Sequence, residues 1–180
     1  MASFGERVVG AMTLNANTFE EVERDTTAMG QAVGVIALSA VSLGIGNIYY
    51  GGLTGIVTGV LASLVGFVIW AALVWVVGTK VMPDPQTSAD FPETFRVIAF
   101  AAAPGVLGIA TIVPLLGWLI LFALYLWMMA AMVVAVKSVL DYTNVGKAIV
   151  VVLMGFIVYC ICWAMFMAAM LGTAMMRRAF

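Results

Sequence analysis

From Leu53 to Val77 the chain runs without one charged side chain. An apolar run of that length fits no water-soluble surface helix, because crossing a bilayer takes about 20 mostly apolar residues. Four further stretches of the same kind follow or precede it. With 64% hydrophobic and 9% charged residues, there are too few polar side chains to coat a soluble globule, which carries about 25% charged residues. The solvent for most of this chain is lipid, and it is expected to fold as an all-α, polytopic membrane bundle.

Five spans are expected: 28–48, 53–77, 95–113, 115–136 and 148–174. They form one membrane domain, 28–175, between an N-terminal arm of residues 1–27 and a short tail, 176–180. The third span is short, and if it were re-entrant the C-terminus would change sides. "YYGG" (Tyr49 to Gly52) reads as a tight turn, and the 78–93 loop is the longest polar connection. No internal repeat supports an inverted-repeat transporter.

The lysine and arginine distribution gives an orientation. Arg7, Arg24, Lys80, Arg96, Lys137 and Lys147 fall on one side of a five-span topology, and only Arg177 and Arg178 on the other. That puts the N-terminus in the cytoplasm and the C-terminus outside. The first 25 residues, rich in acid and without an unbroken apolar core, are not a signal peptide.

The arm reads as two short helices. Phe4, Val8, Val9 and Met12 share a face at helical spacing, suited to lying on the inner leaflet. Thr18 and Glu21 fit a capping box for the second helix. "EEVERD" makes that helix acidic, either a solvated entry to the first span or a docking surface for a protein partner.

"ADFPETFRVIAFAAAPGVLG" carries the densest pattern. Asp90 and Glu93 fit a capping box that starts the third span near Phe91, with Pro92 in the first turn, where it costs no hydrogen bond. Arg96 stands one turn on, within reach of Glu93 but against the helix dipole. Either it snorkels to headgroups, or it turns inward to Gln31, Asn47 or a lipid headgroup. Pro104 bends the span and frees a carbonyl near Phe100 that needs a partner inside the protein. Gly105 and Gly108 let a neighbour approach, and Pro114 ends the span.

Gly51, Gly55 and Gly59, with Gly66 on nearly the same face, form a small-residue stripe on the second span. Gly30 and Gly34 form another on the first. Such stripes pack helices closely, within one chain or between copies. Lys137 and Asp141 are spaced for an ion pair. Trp75, Trp118, Tyr49 and Tyr142 read as interface anchors, and Trp127 and Trp163 as packing. Cys160 and Cys162 lie two apart in a helix, point apart, and read as apolar fillers. Asp84, Asp90 and Glu93 read as solvated loop acids.

Several function classes are disfavoured. Net charge is −1 with no basic tract, so nucleic acid is not a partner. There is no histidine, which removes the commonest general base and metal ligand. The methionines, including Met128, Met129, Met132 and Met165 to Met176, read as pliable packing rather than a copper path. No nucleophile–base pair, carboxylate pair or metal cluster stands in a span, so neither catalysis nor a cofactor is expected.

Taken with "FGERVVGAMTLNANTFEEVERD", "IVPLLGWLI" and "LDYTNVGKAI", the third-span pattern of Glu93, Arg96, Pro104, Pro114 and Gly117 resembles the bacterial branch of the Yip family. These five-span proteins are named for relatives that interact with Rab (Ypt) GTPases. The resemblance covers nearly the whole chain. It implies a cytoplasmic N-terminus in a bacterial inner membrane and no recognised catalytic site. The arm is short for the family, which weighs against Rab-type binding. The expected function is to bind partner proteins or organise the membrane, with membrane lipids, further copies of the chain and membrane-protein partners in contact. The competing reading is a small transporter or lipid translocator that uses the bent third span.

Overall fold

A computed structural model describes residues 2–46 and 48–161, with backbone alone for 49–51. Asn47, Cys162, Trp163, the later methionines, the end of the fifth span and the tail lie outside the described residues. The described residues form seven α-helices: α1 (Phe4–Met12), α2 (Ala16–Arg24), α3 (Met29–Gly46), α4 (Ile48–Val76), α5 (Phe91–Phe100), α6 (Gly117–Val139) and α7 (Val145–Ile161). Among the described residues four segments are long and apolar enough to cross a membrane: Thr26–Gly46, Gly52–Val81, Phe91–Ile112 and Gly117–Val139. The all-helical membrane bundle read from the sequence is the observed class, and α7 is the described part of the fifth apolar stretch.

The third span is the most enclosed of these segments. It begins at Phe91, where Asp90 and Glu93 close a reciprocal capping box and Pro92 sits in the first turn. Every residue from Thr94 to Phe100 is buried. After a turn at Ala101–Ala102 the chain tightens into a 3-10 helix, Ala103–Ile112. This form rises about 2.0 Å per residue against 1.5 Å for an α-helix, so the two pieces together reach about 35 Å. The expected short span is therefore long enough for a full crossing.

Ten residues of 3-10 helix exceed the three or four usually tolerated, so outside support is required. The first span supplies it. On α3, Ser39 Oγ donates to the carbonyl of Ala102 at 2.8 Å and Ser42 Oγ to that of Val106 at 2.6 Å. The Ile109 N–H donates in turn to Ser42 Oγ at 2.8 Å. The bend at buried Pro104 was expected to free a carbonyl near Phe100. The carbonyls that α3 captures are instead those of Ala102, which also accepts the Gly105 N–H at 2.9 Å, and Val106.

Glycine lets the two backbones meet. A Cβ on Gly46 would stand 2.0 Å from Thr111 Oγ1 and 2.3 Å from the Gly108 carbonyl. A Cβ on Gly108 would meet Leu43 at 2.6 Å, and one on Gly105 the Ser39 Cβ at 3.0 Å. The span ends at exposed Pro114, and Leu115 turns the chain with φ 67° into α6. Gly117 is required there, since a Cβ would meet the Thr111 carbonyl at 2.2 Å.

Gly52, with φ 55° and ψ −162°, breaks α4 into a short first piece and the second span, which starts there. The chain thus breaks between the first two spans within the expected "YYGG" stretch. At its other end α4 loosens into a π-helical turn, Val77–Val81. Tyr142 is buried there, and its hydroxyl donates to the carbonyls of Met82 (2.7 Å) and Gly78 (3.1 Å). It is a protein tie rather than a lipid anchor. Trp75 donates to the Ala89 carbonyl at 3.0 Å, while Trp118 is exposed.

Two substitutions test the seam between α3 and the third span. Ser39→Ala should cost about 1 kcal/mol, the usual size for one intramembrane hydrogen bond. Gly46→Ala should cost more, about 1–3 kcal/mol, because backbone itself must move. Thermal unfolding in nanodiscs, read by circular dichroism, should show a lower midpoint for both and the larger drop for Gly46→Ala.

Candidate functional site

At one end of the bundle the arm, the 82–90 loop and the 140–147 loop meet, and nearly all the described charged groups gather there. The arm is not laid on a leaflet. Phe4, Val8 and Met12 pack against the protein core while Val9 points away. The face expected to meet lipid meets α2 and the third span instead. α1 reaches far enough along the bundle for the Met12 carbonyl to accept the Trp127 indole N–H at 2.7 Å, near the middle of α6. α2 starts at Asn15, whose side chain accepts the Asn17 N–H. The cap expected at Thr18 is therefore corrected, because Thr18 lies already inside the helix and abuts Gly10.

Arg7 fastens the arm. It is 1% exposed and spans three elements. Nη2 bonds Glu21 Oε1 at 2.9 Å and Asp25 Oδ2 at 2.7 Å, and Nη1 donates to Gln31 Oε1 at 3.0 Å. Thr27 and then Arg7 hold the Asp25 carboxyl down to a pKa of about 2. Gln31, expected as a partner for Arg96, thus serves Arg7.

Arg96 turns inward, 6% exposed, and its Nη2 donates to the Glu23 backbone carbonyl at 2.7 Å. That carbonyl is in the last turn of α2, where helical partners run out and the dipole is negative. The charge that its own helix end disfavours is thus matched by the end of another helix. Glu93 is occupied by the cap, and no ion pair joins it to Arg96 among the described residues.

The Glu23 side chain is half-buried near Glu93 and Asp141. Burial, and then the repulsion of those carboxylates, push its pKa up to about 7. Lys147 pairs with Asp84 and also donates to the Pro83 carbonyl at 2.7 Å. That tie joins the two loops, as do Thr87 to the Leu140 carbonyl and Gln86 to the Asp141 carbonyl. The expected Lys137–Asp141 pair does not form. α6 ends at Val139 and Asp141 has φ 52°, so the one-turn spacing of a continuous helix is lost. Asp84, read as solvated, is an internal ion-pair partner.

The Yip1 domain profile matches residues 9–166. The chain belongs to that family. No curated protein and no solved structure gives a match. In this Yip1-domain protein the matched region includes Glu93, Arg96, Pro104 and Pro114 as well as α2 and the loops that join it.

Among the described residues Gly30, Gly34, Gly55 and Gly59 have nothing within 4 Å of an added Cβ, and Gly66 meets only Tyr159. Close approaches among those residues are made by Gly10, Gly46, Gly78, Gly105, Gly108 and Gly117. Among the described residues no group of three or more His, Cys, Asp or Glu is arranged to hold a metal. Arg7 had a signal in the sequence: Glu21 and Asp25 lie one turn apart, an acidic pair for a base on the preceding helix. Ser39 and Ser42, one turn apart in an apolar helix, were the signal for the seam.

Docking of the arm should depend on pH in two directions. Glu23 has its folded pKa raised from 4.5 to about 7, so its contribution is full below pH 4.5 and lost as pH rises through about 7. Asp25 has its folded pKa lowered from 3.8 to about 2, so its contribution is present above pH 3.8 and lost as pH falls toward 2. Docking should be tightest near pH 4–5. Spin labels at Asn17 and Asn144, with Cys160 and Cys162 changed to serine, should report one short distance there and a broader distribution at pH 8. Glu23→Gln should remove the broadening at pH 8. Arg7→Met should broaden the distribution at every pH, since Glu21, Asp25 and Gln31 would lose the cation that joins them.

Proposed function

We propose that this Yip1-domain protein is a non-catalytic component of a bacterial cytoplasmic membrane that self-associates and holds partner membrane proteins. The observation that carries this reading is the outer face of α4. Leu53, Val57, Leu61 and Val65 project there, each at least 60% exposed. Gly55 and Gly59 lie round the helix from that row and have no neighbour within 4 Å among the described residues. Small residues one turn apart on a lipid-facing helix allow a second helix to approach backbone to backbone.

Gly51 extends the stripe in sequence, and Gly30 and Gly34 offer a second surface on α3. The cytoplasmic N-terminus rests on the six-to-two distribution of Lys and Arg. The docked arm, with Glu20 and Arg24 outward, would then face the cytoplasm as the surface for a protein partner. A transport role for Arg96 has less support, since its guanidinium is engaged with the Glu23 carbonyl.

Single-molecule photobleaching of labelled chains in nanodiscs tests this reading. The wild type should bleach in two or more steps. Gly55→Leu with Gly59→Leu should lower the associated fraction about tenfold, or about 1.4 kcal/mol, without changing the melting midpoint. Single-step bleaching of the wild type, or an unchanged distribution in the variant, would refute self-association through α4.

A further inference from the structure

A cavity of ≈ 270 Å³ lies inside the bundle, between α3, α4, α6 and α7. Its place along the helices fixes its depth. Ile36 to Leu43, Ser63 to Trp70 and Tyr125 to Met132 line it, and each stretch lies about midway along its own helix. The cavity is therefore at the level of the hydrocarbon core. It exists because small residues face one another: Ala40 on α3 and Ser63 and Gly66 on α4 leave room that bulkier side chains would fill.

The wall chemistry selects an apolar occupant. No charged residue lines the cavity. On the inner wall Ser39 Oγ is engaged with the Ala102 carbonyl and the Trp70 indole N–H with Met132 sulfur at 3.4 Å. Most of the remaining lining is apolar side chain, which suits an apolar occupant. Protein interiors leave few voids larger than a water, so a space of this size calls for an occupant from outside.

The rim says what that occupant is. Tyr125 and Phe156 stand at the opening, 52% and 46% exposed, on the outer surfaces of α6 and α7. At that depth the medium outside is lipid tails. Met128, Met129 and Met132 form a wall of unbranched, adaptable side chains that can shape themselves to a flexible chain. We infer that this cavity is a binding site for one acyl chain of a membrane phospholipid, inserted laterally past Tyr125 and Phe156 toward Trp70 and Met132. The inference holds whether or not the protein self-associates.

Photocrosslinking tests it. The full chain is placed in nanodiscs of phosphatidylethanolamine and phosphatidylglycerol doped with a phosphatidylcholine that carries a mid-chain diazirine. After irradiation, adducts are mapped by peptide mass spectrometry. Trp70 and Met132, 8% and 7% exposed, are out of reach of bulk lipid and should nevertheless carry adducts. Ser63→Phe, which fills the cavity from the α4 wall, should lower those adducts at least tenfold and leave labelling of Val57 on the outer face unchanged. Ala40→Leu, which fills the opposite wall, serves the same purpose where Ser63→Phe does not fold. Labelling of Val57 without labelling of Trp70 and Met132 would overturn the site. So would adducts that persist in the filled variants, or peptide–peptide crosslinks that place another part of this chain or a second copy in the cavity.

Discussion

The seam between α3 and the third span is the contact on which the rest of the bundle depends. In lipid a backbone carbonyl without a partner costs several kcal/mol, and a proline-bent 3-10 helix offers weak internal hydrogen bonds. Ser39 and Ser42 supply what that backbone lacks. They reach it only because Gly46, Gly105 and Gly108 remove the side chains that would hold the helices apart. With α3 pressed against the third span, α4, α6 and α7 pack around them, and the central cavity is what their small facing residues leave open.

The charged end of the molecule follows a related logic. Two buried arginines are each held through their terminal nitrogens by an element distant in sequence. Arg7 ties α1 to α2 and to the start of α3, and Arg96 closes the exposed end of α2. The arm is thereby part of the folded bundle. The raised pKa of Glu23 sits at this junction, so the strength of docking is linked to proton concentration near neutrality. An arm whose attachment is so balanced is a natural place for a partner to act, since a modest binding energy changes its population.

Much of the fold was legible locally. Among the described residues the apolar runs gave four spans to within a few residues, and the Asp90–Glu93 cap with Pro92 gave the start of α5. Features that depend on the identity of a distant neighbour were not legible. Arg96 was rightly seen as misplaced on its own helix dipole, but nothing nearby in sequence names the Glu23 carbonyl. Lys137 and Asp141 have the spacing of a pair, yet the helix stops between them. The glycine stripe on α4 fitted packing within the chain or between copies, and among the described residues it was Gly46 and Gly108 that met another backbone.

By itself, then, the sequence determined the solvent, the class of fold and the ends of several helices, because these depend on hydropathy, periodicity and capping within one turn. Tertiary structure alone decided which polar groups are partners, which glycines are contacts and where a cavity remains. Those outcomes depend on distances between residues far apart in the chain, such as the 63 positions between Ser39 and Ala102. No local pattern carries that information, since the same serine on the lipid-facing side of α3 would have had no carbonyl of the third span to bind.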